Sequence, residues 1–224
     1  MVVTGGAGAL GREVVATLVR AGAICHLPVR DEVTITPAVA ASVHVVSGVD
    51  LADESAVVRF YSKVPADLWA SVHVAGSFAM GGITETSLAD LRAQIDVNLV
   101  TAFLCCREAV RRFRMRAGGG GGRLVNVVSR AALQPGPRAS AYNLSKAAVV
   151  SLTQTLAAEL KTEGILVNAV APGMIDTAAN RAAMPGLDAA HAVAPAAIAT
   201  AIAWLASPQN AIASGAVVPV YGNS

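Results

Sequence analysis

A tyrosine precedes a lysine by four positions in Ser-Ala-Tyr-Asn-Leu-Ser-Lys, residues 140–146. On a helix Tyr142 and Lys146 share one face, a turn apart. An unperturbed phenol has a pKa near ~10 and is a poor base at neutral pH. A neighbouring ammonium stabilises the phenolate and lowers that value. Such a pair is suited to giving or taking a proton at a carbonyl or alcohol oxygen. A Tyr and a Lys at this spacing are also common by chance, so other groups must join them. Ser129 ends the apolar run RLVNVVS (123–129) and carries a hydroxyl able to hydrogen-bond a substrate oxygen. Asn98 interrupts the apolar helical stretch IDVNLVTAF (95–103). A buried amide there needs partners and could hold a water that reaches Lys146. The plainer roles are a strand-end turn for Ser129 and a kink-stabilising polar group for Asn98.

The elements that must position these side chains alternate. Short β-branched runs at 2–4, 23–29, 42–49, 68–76, 123–129, 165–172 and 215–220 read as strands. Between them lie helical patterns at 9–22, 53–63, 87–116, 139–164 and 194–207. Asp53 is a plausible N-cap, and the arginine-rich end of 87–116 suits the negative pole of the helix dipole. Strand–helix alternation with continuous apolar strands marks a parallel sheet covered on both faces. The stretch 30–41 is short and contains Pro37, which makes a full crossover helix there doubtful. The glycine run 118–122 reads as a loop tip within one domain spanning 1–224.

Composition narrows the function classes. Hydrophobic residues make up 54% of the 224, charged residues 14%, and the net charge is +2, so no basic field points to nucleic acid. No apolar run reaches the ~20 residues of a membrane helix. The opening residues lack a signal-peptide pattern, and a cytoplasmic location is expected. Cys25, Cys105 and Cys106 have no metal-ligand spacing and read as small buried apolar residues. No metal site is expected. Of the histidines at 26, 44, 73 and 191, three lie in apolar strand-like runs and are expected to pack rather than ligate.

The stretch TGGAGALG (4–11) follows the first strand and opens the first helix. Gly5, Gly8 and Gly11 permit a tight turn and bring backbone N–H groups close to a pyrophosphate at a helix N-terminus. In that context the expected architecture is a Rossmann-type α/β fold. It is a doubly wound parallel sheet of about seven strands in three layers, α/β/α. The second strand ends Pro-Val-Arg-Asp-Glu. Val29 takes the place where an acid would bind the ribose hydroxyl of NAD, and Arg30 suits a 2′-phosphate, which favours NADP(H) over NAD(H). Asp31 and Glu32 leave NAD open, since a one-residue shift in the turn restores an acid.

Together these positions resemble the short-chain dehydrogenase/reductase family over nearly the whole chain. The glycine motif matches Thr4 to Gly11, Leu10 included. The serine thirteen positions before the tyrosine matches Ser129, and Tyr-x-x-x-Lys matches Tyr142 and Lys146. The helix asparagine matches Asn98 in DVNL, and VDL (49–51) matches an adenine-contacting turn with Asp50 and Leu51. VNAVAPGMIDT (167–177) matches the nicotinamide-holding segment through Pro172, Gly173, Ile175 and Thr177. The resemblance implies Tyr142 as general acid/base, with Lys146 lowering its pKa and binding the nicotinamide ribose. It implies that Ser129 polarises the carbonyl and that Asn98 maintains a relay water. It also implies a homodimer or homotetramer built on 87–116 and 139–162, and a short substrate lid near 178–194. Three departures stand out. Ala9 replaces a turn glycine. HVAG (73–76) replaces Asn-Asn-Ala-Gly, keeping only Ala75 and Gly76 for close cofactor approach. PVYGN replaces the usual aspartate-containing end. Strand one reads as clipped at its start.

The expected activity is NAD(P)H-dependent interconversion of a ketone or aldehyde and an alcohol, on a small-molecule carbonyl or alcohol substrate. The nearest activity label is 3-oxoacyl-carrier-protein reduction, although nothing selects an acyl chain. The alternatives are a catalytically idle NADP-binding sensor or scaffold, and an epimerase or dehydratase for which the chain is too short.

Overall fold

The computed structural model describes residues 1–116, 120–183 and 192–222. Seven strands form one sheet: β1 (Val2–Thr4), β2 (Cys25–Pro28), β3 (Val43–Val46), β4 (Ala70–His73), β5 (Gly122–Val127), β6 (Ile165–Pro172) and β7 (Val217–Val220). Every pairing is parallel, in the order β3-β2-β1-β4-β5-β6-β7. The order reverses between β1 and β4, so their carboxyl ends open a crevice there. Register at that seam pairs Thr4 with His73.

Successive strand residues point to opposite faces. Val2 and Leu124 pack with Phe60, Cys105 and Phe113 on one side. Val3 and Val125 pack with Val14, Leu18, Ile198 and Ile202 on the other. The first side is covered by α3 (Glu54–Lys63), α5 (Thr101–Arg114) and α6 (Ser140–Glu159), with α4 (Leu88–Ile95) packed on α6. The second is covered by α1 (Ala9–Arg20) and α8 (Pro195–Ala206), which pack closely on each other. Fully burying each of these Val, Leu, Ile or Phe side chains is worth about 1.5–3 kcal/mol.

The stretch 30–41 holds only a one-turn helix, α2 (Pro37–Ala40), with Pro37 at its first position, as its proline suggested. Asp53 caps α3 through the Ser55 amide, as expected. The helix expected over 87–116 starts from a reciprocal Ser87–Asp90 capping box. It is broken by a π-turn, Asp96–Val100, between α4 and α5. The turn is centred on Asn98, where the sequence showed a lone polar residue. Gly122 belongs to β5 and not to the glycine loop. A side chain there would start 2.5 Å from the Phe113 ring, so only glycine lets that buried ring lie against the strand. Residues 118 and 119 of the glycine run, with Ala117 before it, lie outside the described residues.

The sheet interior is less apolar than its strands suggested. A thread of polar side chains crosses it: Tyr61 Oη to Ser71 Oγ (2.8 Å), Ser71 Oγ to His73 Nε2 (2.9 Å) and His73 Nδ1 to Asn126 Oδ1 (2.8 Å). Asn126 Nδ2 then donates to Thr153 Oγ1 (2.9 Å), which donates to the Val149 carbonyl (2.8 Å). Burial brings the His73 imidazole down to about 4 and keeps it neutral. At the sheet edge His26 stacks on His44, with ring centroids 5.0 Å apart. All three cysteines are buried and free, and burial pushes their thiols up. Among the described residues no helix is long and apolar enough to cross a membrane.

Candidate active site

The carboxyl ends of β1 and β4 carry two clefts that meet. The first, about 620 Å³, is lined by Gly5, Gly8, Leu10, Gly11, Arg30, Asp50, Leu51, Ala75 and Gly76, among others. Gly5 turns the chain out of β1 with φ +64°, and a side chain there would start 2.7 Å from the Ala75 amide. Gly11 is held tighter, because its missing Cβ would lie 2.0 Å from the Gly5 carbonyl. The turn therefore folds flat against α1, whose N-cap Gly8 offers no side chain to its first amides. That leaves the positive end of α1 open toward the cleft. Arg30 and Asp31 both line it, so the two cofactor signals read from the sequence sit side by side. Asp50 Oδ1 accepts from the Ala52 amide and shapes its turn (2.9 Å). In place of the missing asparagines, the Ala75 amide donates to the Thr4 hydroxyl (3.2 Å).

The second cleft, about 470 Å³, is lined by Ser129, Tyr142, Lys146, Pro172, Gly173 and Ile175, and shares Leu10, Val74 and Gly76 with the first. Ser129 leaves β5 and caps a short 3₁₀ turn, Arg130–Ala132, accepting from the Ala131 amide (3.2 Å). That amide uses one lone pair of the hydroxyl, which keeps its proton to donate. Tyr142 and Lys146 lie one turn apart near the start of α6. Burial raises the Tyr142 phenol above its ordinary value, and a hydrogen bond from Ser129 pulls it back in part. Lys146 is not among the causes of that shift, which differs from the expected lowering of the phenol by its ammonium. Lys146 Nζ instead donates to the Val127 carbonyl (2.9 Å), and burial drops this amine to about 8.

Asn98 lines neither cleft. It is buried beneath Gly76, with Oδ1 accepting from the Ser77 amide (3.1 Å). Its Nδ2 faces the Ser77 carbonyl (3.1 Å), Gln94 Oε1 (3.3 Å) and Ser145 Oγ (3.1 Å). Protein groups thus take the amide, and none of these bonds runs to Lys146. Asn98 and Lys146 nonetheless meet at Gly76, where a Cβ would start 2.6 Å from Asn98 Oδ1 and 3.0 Å from Lys146 Nζ. Thr177 also stays out of both clefts, because its hydroxyl accepts from the Asn180 amide (3.1 Å) and starts α7 (Ala178–Ala183). Asn180 reaches the second cleft. Of the expected lid, residues 184–191, with Met184, Pro185, Gly186 and His191, lie outside the described residues.

Three lining residues escaped the sequence reading. Phe78 packs edge-on to Tyr142, with centroids 4.8 Å apart. Arg130 sits over the Tyr221 ring at 5.1 Å, and Gln134 accepts from its Nε (3.0 Å). An aromatic just beyond β4 and a charge directly after Ser129 were the available signals. Among the described residues no group of three or more His, Cys, Asp or Glu is placed to hold a metal ion.

A glycine turn at an open helix end, set where the strand order reverses, fits a dinucleotide. Gly76 lines both clefts, and its missing Cβ leaves room for Asn98 Oδ1 and Lys146 Nζ. The fold and clefts define a Rossmann-type α/β protein, with Ser129, Tyr142 and Lys146 lining the cleft beside the glycine turn's. The short chain dehydrogenase family model matches residues 1–187, and the chain belongs to this family. It is an NAD(P)-dependent oxidoreductase. It is similar to a 2-dehydro-3-deoxy-L-rhamnonate dehydrogenase (NAD(+)) of Sphingomonas sp., 34% identical over 182 residues, covering 79% of this chain and 72% of that one. It is also similar to an NADPH-dependent aldehyde reductase-like protein, chloroplastic, of Arabidopsis thaliana, 34% identical over 163 residues, covering 70% and 58%. A solved short chain dehydrogenase/reductase family protein superposes with a TM-score of 0.89 at 29% identity, covering 99% of this chain and 94% of that one.

Proposed function

We propose that the protein interconverts a ketone or aldehyde and its alcohol, with Tyr142 as general acid/base. The observation that carries this reading is the shared lining of one cleft by the Tyr142 phenol, the Ser129 hydroxyl and the Lys146 amine, beside Gly76. A nicotinamide dinucleotide bound in the adjoining cleft supplies or accepts the hydride. The glycine turn with Leu10 holds its pyrophosphate at the N-terminus of α1. Asp50 and Leu51 flank the adenine, and Lys146 binds the nicotinamide ribose. Pro172, Gly173 and Ile175 hold the nicotinamide, while Thr177, expected to join them, starts α7 instead. Ser129 turns its proton from the Tyr142 phenol to the substrate oxygen and fixes the carbonyl. Tyr142, kept protonated by burial, then delivers a proton to that oxygen in the reductive direction. Asn98 acts from below by clamping Ser77 and the π-turn, which holds Gly76 in place.

NADP(H) over NAD(H) is the preferred cofactor in this reading, because Arg30 lines the first cleft after a valine and not after an acid. One domain spans 1–224, with α7 at the cleft mouth. Assembly as a homodimer or homotetramer is supported by Leu88, Phe103 and Leu144, exposed at 60%, 46% and 61% on α4, α5 and α6. The cytoplasm is the proposed location.

The test is a spectrophotometric screen of ketones, aldehydes and alcohols with both cofactors, repeated with Tyr142→Phe. Turnover by the native chain should vanish in the variant while cofactor still binds. A variant that keeps most of its rate on any substrate found would remove Tyr142 from the proton transfer. Cofactor binding without turnover on any carbonyl or alcohol would favour the idle sensor.

A further inference from the structure

Among the described residues the second cleft is lined by no acidic side chain. Its two charged residues are Lys146 and Arg130, both cationic. Lys146 is committed to the Val127 carbonyl and the Gly76 corner. Arg130 is not neutralised. Its guanidinium carbon sits over the Tyr221 ring, 5.1 Å from the centroid, and its Nε is spent on Gln134. No described carboxylate forms an ion pair with it, whereas Arg107, Arg111, Arg114, Arg138 and Arg181 each pair with one. Stacking and a single Nε bond fix the plane of a guanidinium while leaving its outer N–H fork unspent. That fork is the half of arginine that matches an oxyanion with two parallel hydrogen bonds. The residue directly follows Ser129, so fork and hydroxyl address one bound molecule. The rest of the wall is largely apolar: Val74, Phe78, Val128, Ala131, Met174 and Ile175.

We propose that the substrate is a carbonyl compound, or its alcohol, with an apolar body and an oxyanion, carboxylate or phosphate, which Arg130 grips while Ser129 holds the reacting oxygen. This rests on the reading of the cleft as the site of carbonyl reduction. Arg130 is a specificity residue in it. Gln134 and Tyr221 preset its direction, so little side-chain freedom is lost when the anion arrives.

The test compares kcat/KM for aryl oxo acids of graded length with their methyl esters, and for a keto-phosphate with the dephosphorylated ketone. Native protein, Arg130→Met and Arg130→Lys are each assayed, with NADPH saturating. In parallel, benzoate and phenyl phosphate are titrated calorimetrically into the NADPH-saturated proteins. The native chain should prefer one anionic series over its neutral partners by about tenfold to a hundredfold, the worth of a hydrogen-bonded charge at a half-open site. Arg130→Met should bring that ratio toward one, and Arg130→Lys should keep part of it. Preference for the acids identifies a carboxylate, and preference for the keto-phosphate a phosphate. Equal turnover of charged and neutral substrates, or a ratio unchanged in Arg130→Met, overturns the grip while leaving carbonyl reduction intact. If no compound turns over but an anion binds in an Arg130-dependent way, the grip stands and the proposed reaction falls. If no anion binds and none is preferred, the grip is refuted.

Discussion

Replacing Lys146 by methionine should make this protein more stable and inactive at once. The amine is buried at 6% exposure with one hydrogen bond, to the Val127 carbonyl. Burial lowers it from 10.5 to about 8. At neutral pH the fold therefore carries a proton it holds less tightly than the unfolded chain does, at a cost of about 3 kcal/mol. Methionine removes that cost and fills much of the same space, but loses a charged hydrogen bond worth about 1.5–3 kcal/mol. The net gain at pH 7 is about 0–1.5 kcal/mol, or a melting temperature higher by roughly 0–6 °C for a chain of this size. The pH dependence has a definite sign. Between about 8 and 10.5 the unfolded lysine keeps its proton while the folded one has released it, so native stability rises with pH. By pH 9.5 about 2 kcal/mol of the cost is relieved in the native chain, and the variant has no such titration. Urea unfolding of both proteins at pH 6.5 and 9.5 should show the gap between them shrinking by that amount. A variant less stable than the native chain at pH 6.5, or a gap that does not change with pH, refutes the account of Lys146 as a strained cation.

Gly76→Ala should cost about 1–3 kcal/mol of stability, because the new methyl must displace Asn98 Oδ1 or Lys146 Nζ. It should also weaken NADPH binding, read by fluorescence titration, and an unchanged affinity would mean that the passage between the clefts is not used. Gly122→Ala should lower stability by a similar ~1–3 kcal/mol in thermal melts, through the Phe113 ring, without changing cofactor affinity. Arg30→Ala should weaken NADPH more than NADH in the same titration, and equal losses would give the selection to Asp31.

Much of the scaffold was legible because its signals are local. The strand at 165–172 is an apolar run broken by Asn168 and bounded by Gly164 and Gly173, and the structure gives the same limits. Strand β2 was drawn long, since Ala23 and Val29 are as apolar as the strand itself. Ser129, Tyr142 and Lys146 were readable from type and spacing, and they do line one cleft. Thr177 was assigned by its neighbours, and its hydroxyl turned to the helix beside it. The π-turn at Asn98 was hidden because one polar residue marks a kink, a bulge and a buried amide alike. The pairing of Arg130 with Tyr221 was out of reach, since only the fold brings the end of the chain across the mouth of β5. The environment of Lys146 was hidden too: helical spacing places the amine beside the phenol but does not reveal that its hydrogen bond goes to a strand carbonyl.

The polar thread from Tyr61 through His73 to Thr153 also bears on how the chain avoids misalignment. Strands rich in valine and alanine slide past one another with little penalty, since any neighbour is about as greasy as the next. Here a slip of one residue between β4 and β5 would turn His73 and Asn126 to opposite sides of the sheet. Several buried polar groups would lose their partners together, each at about 1–3 kcal/mol. The thread thus acts as a key cut into otherwise interchangeable strands.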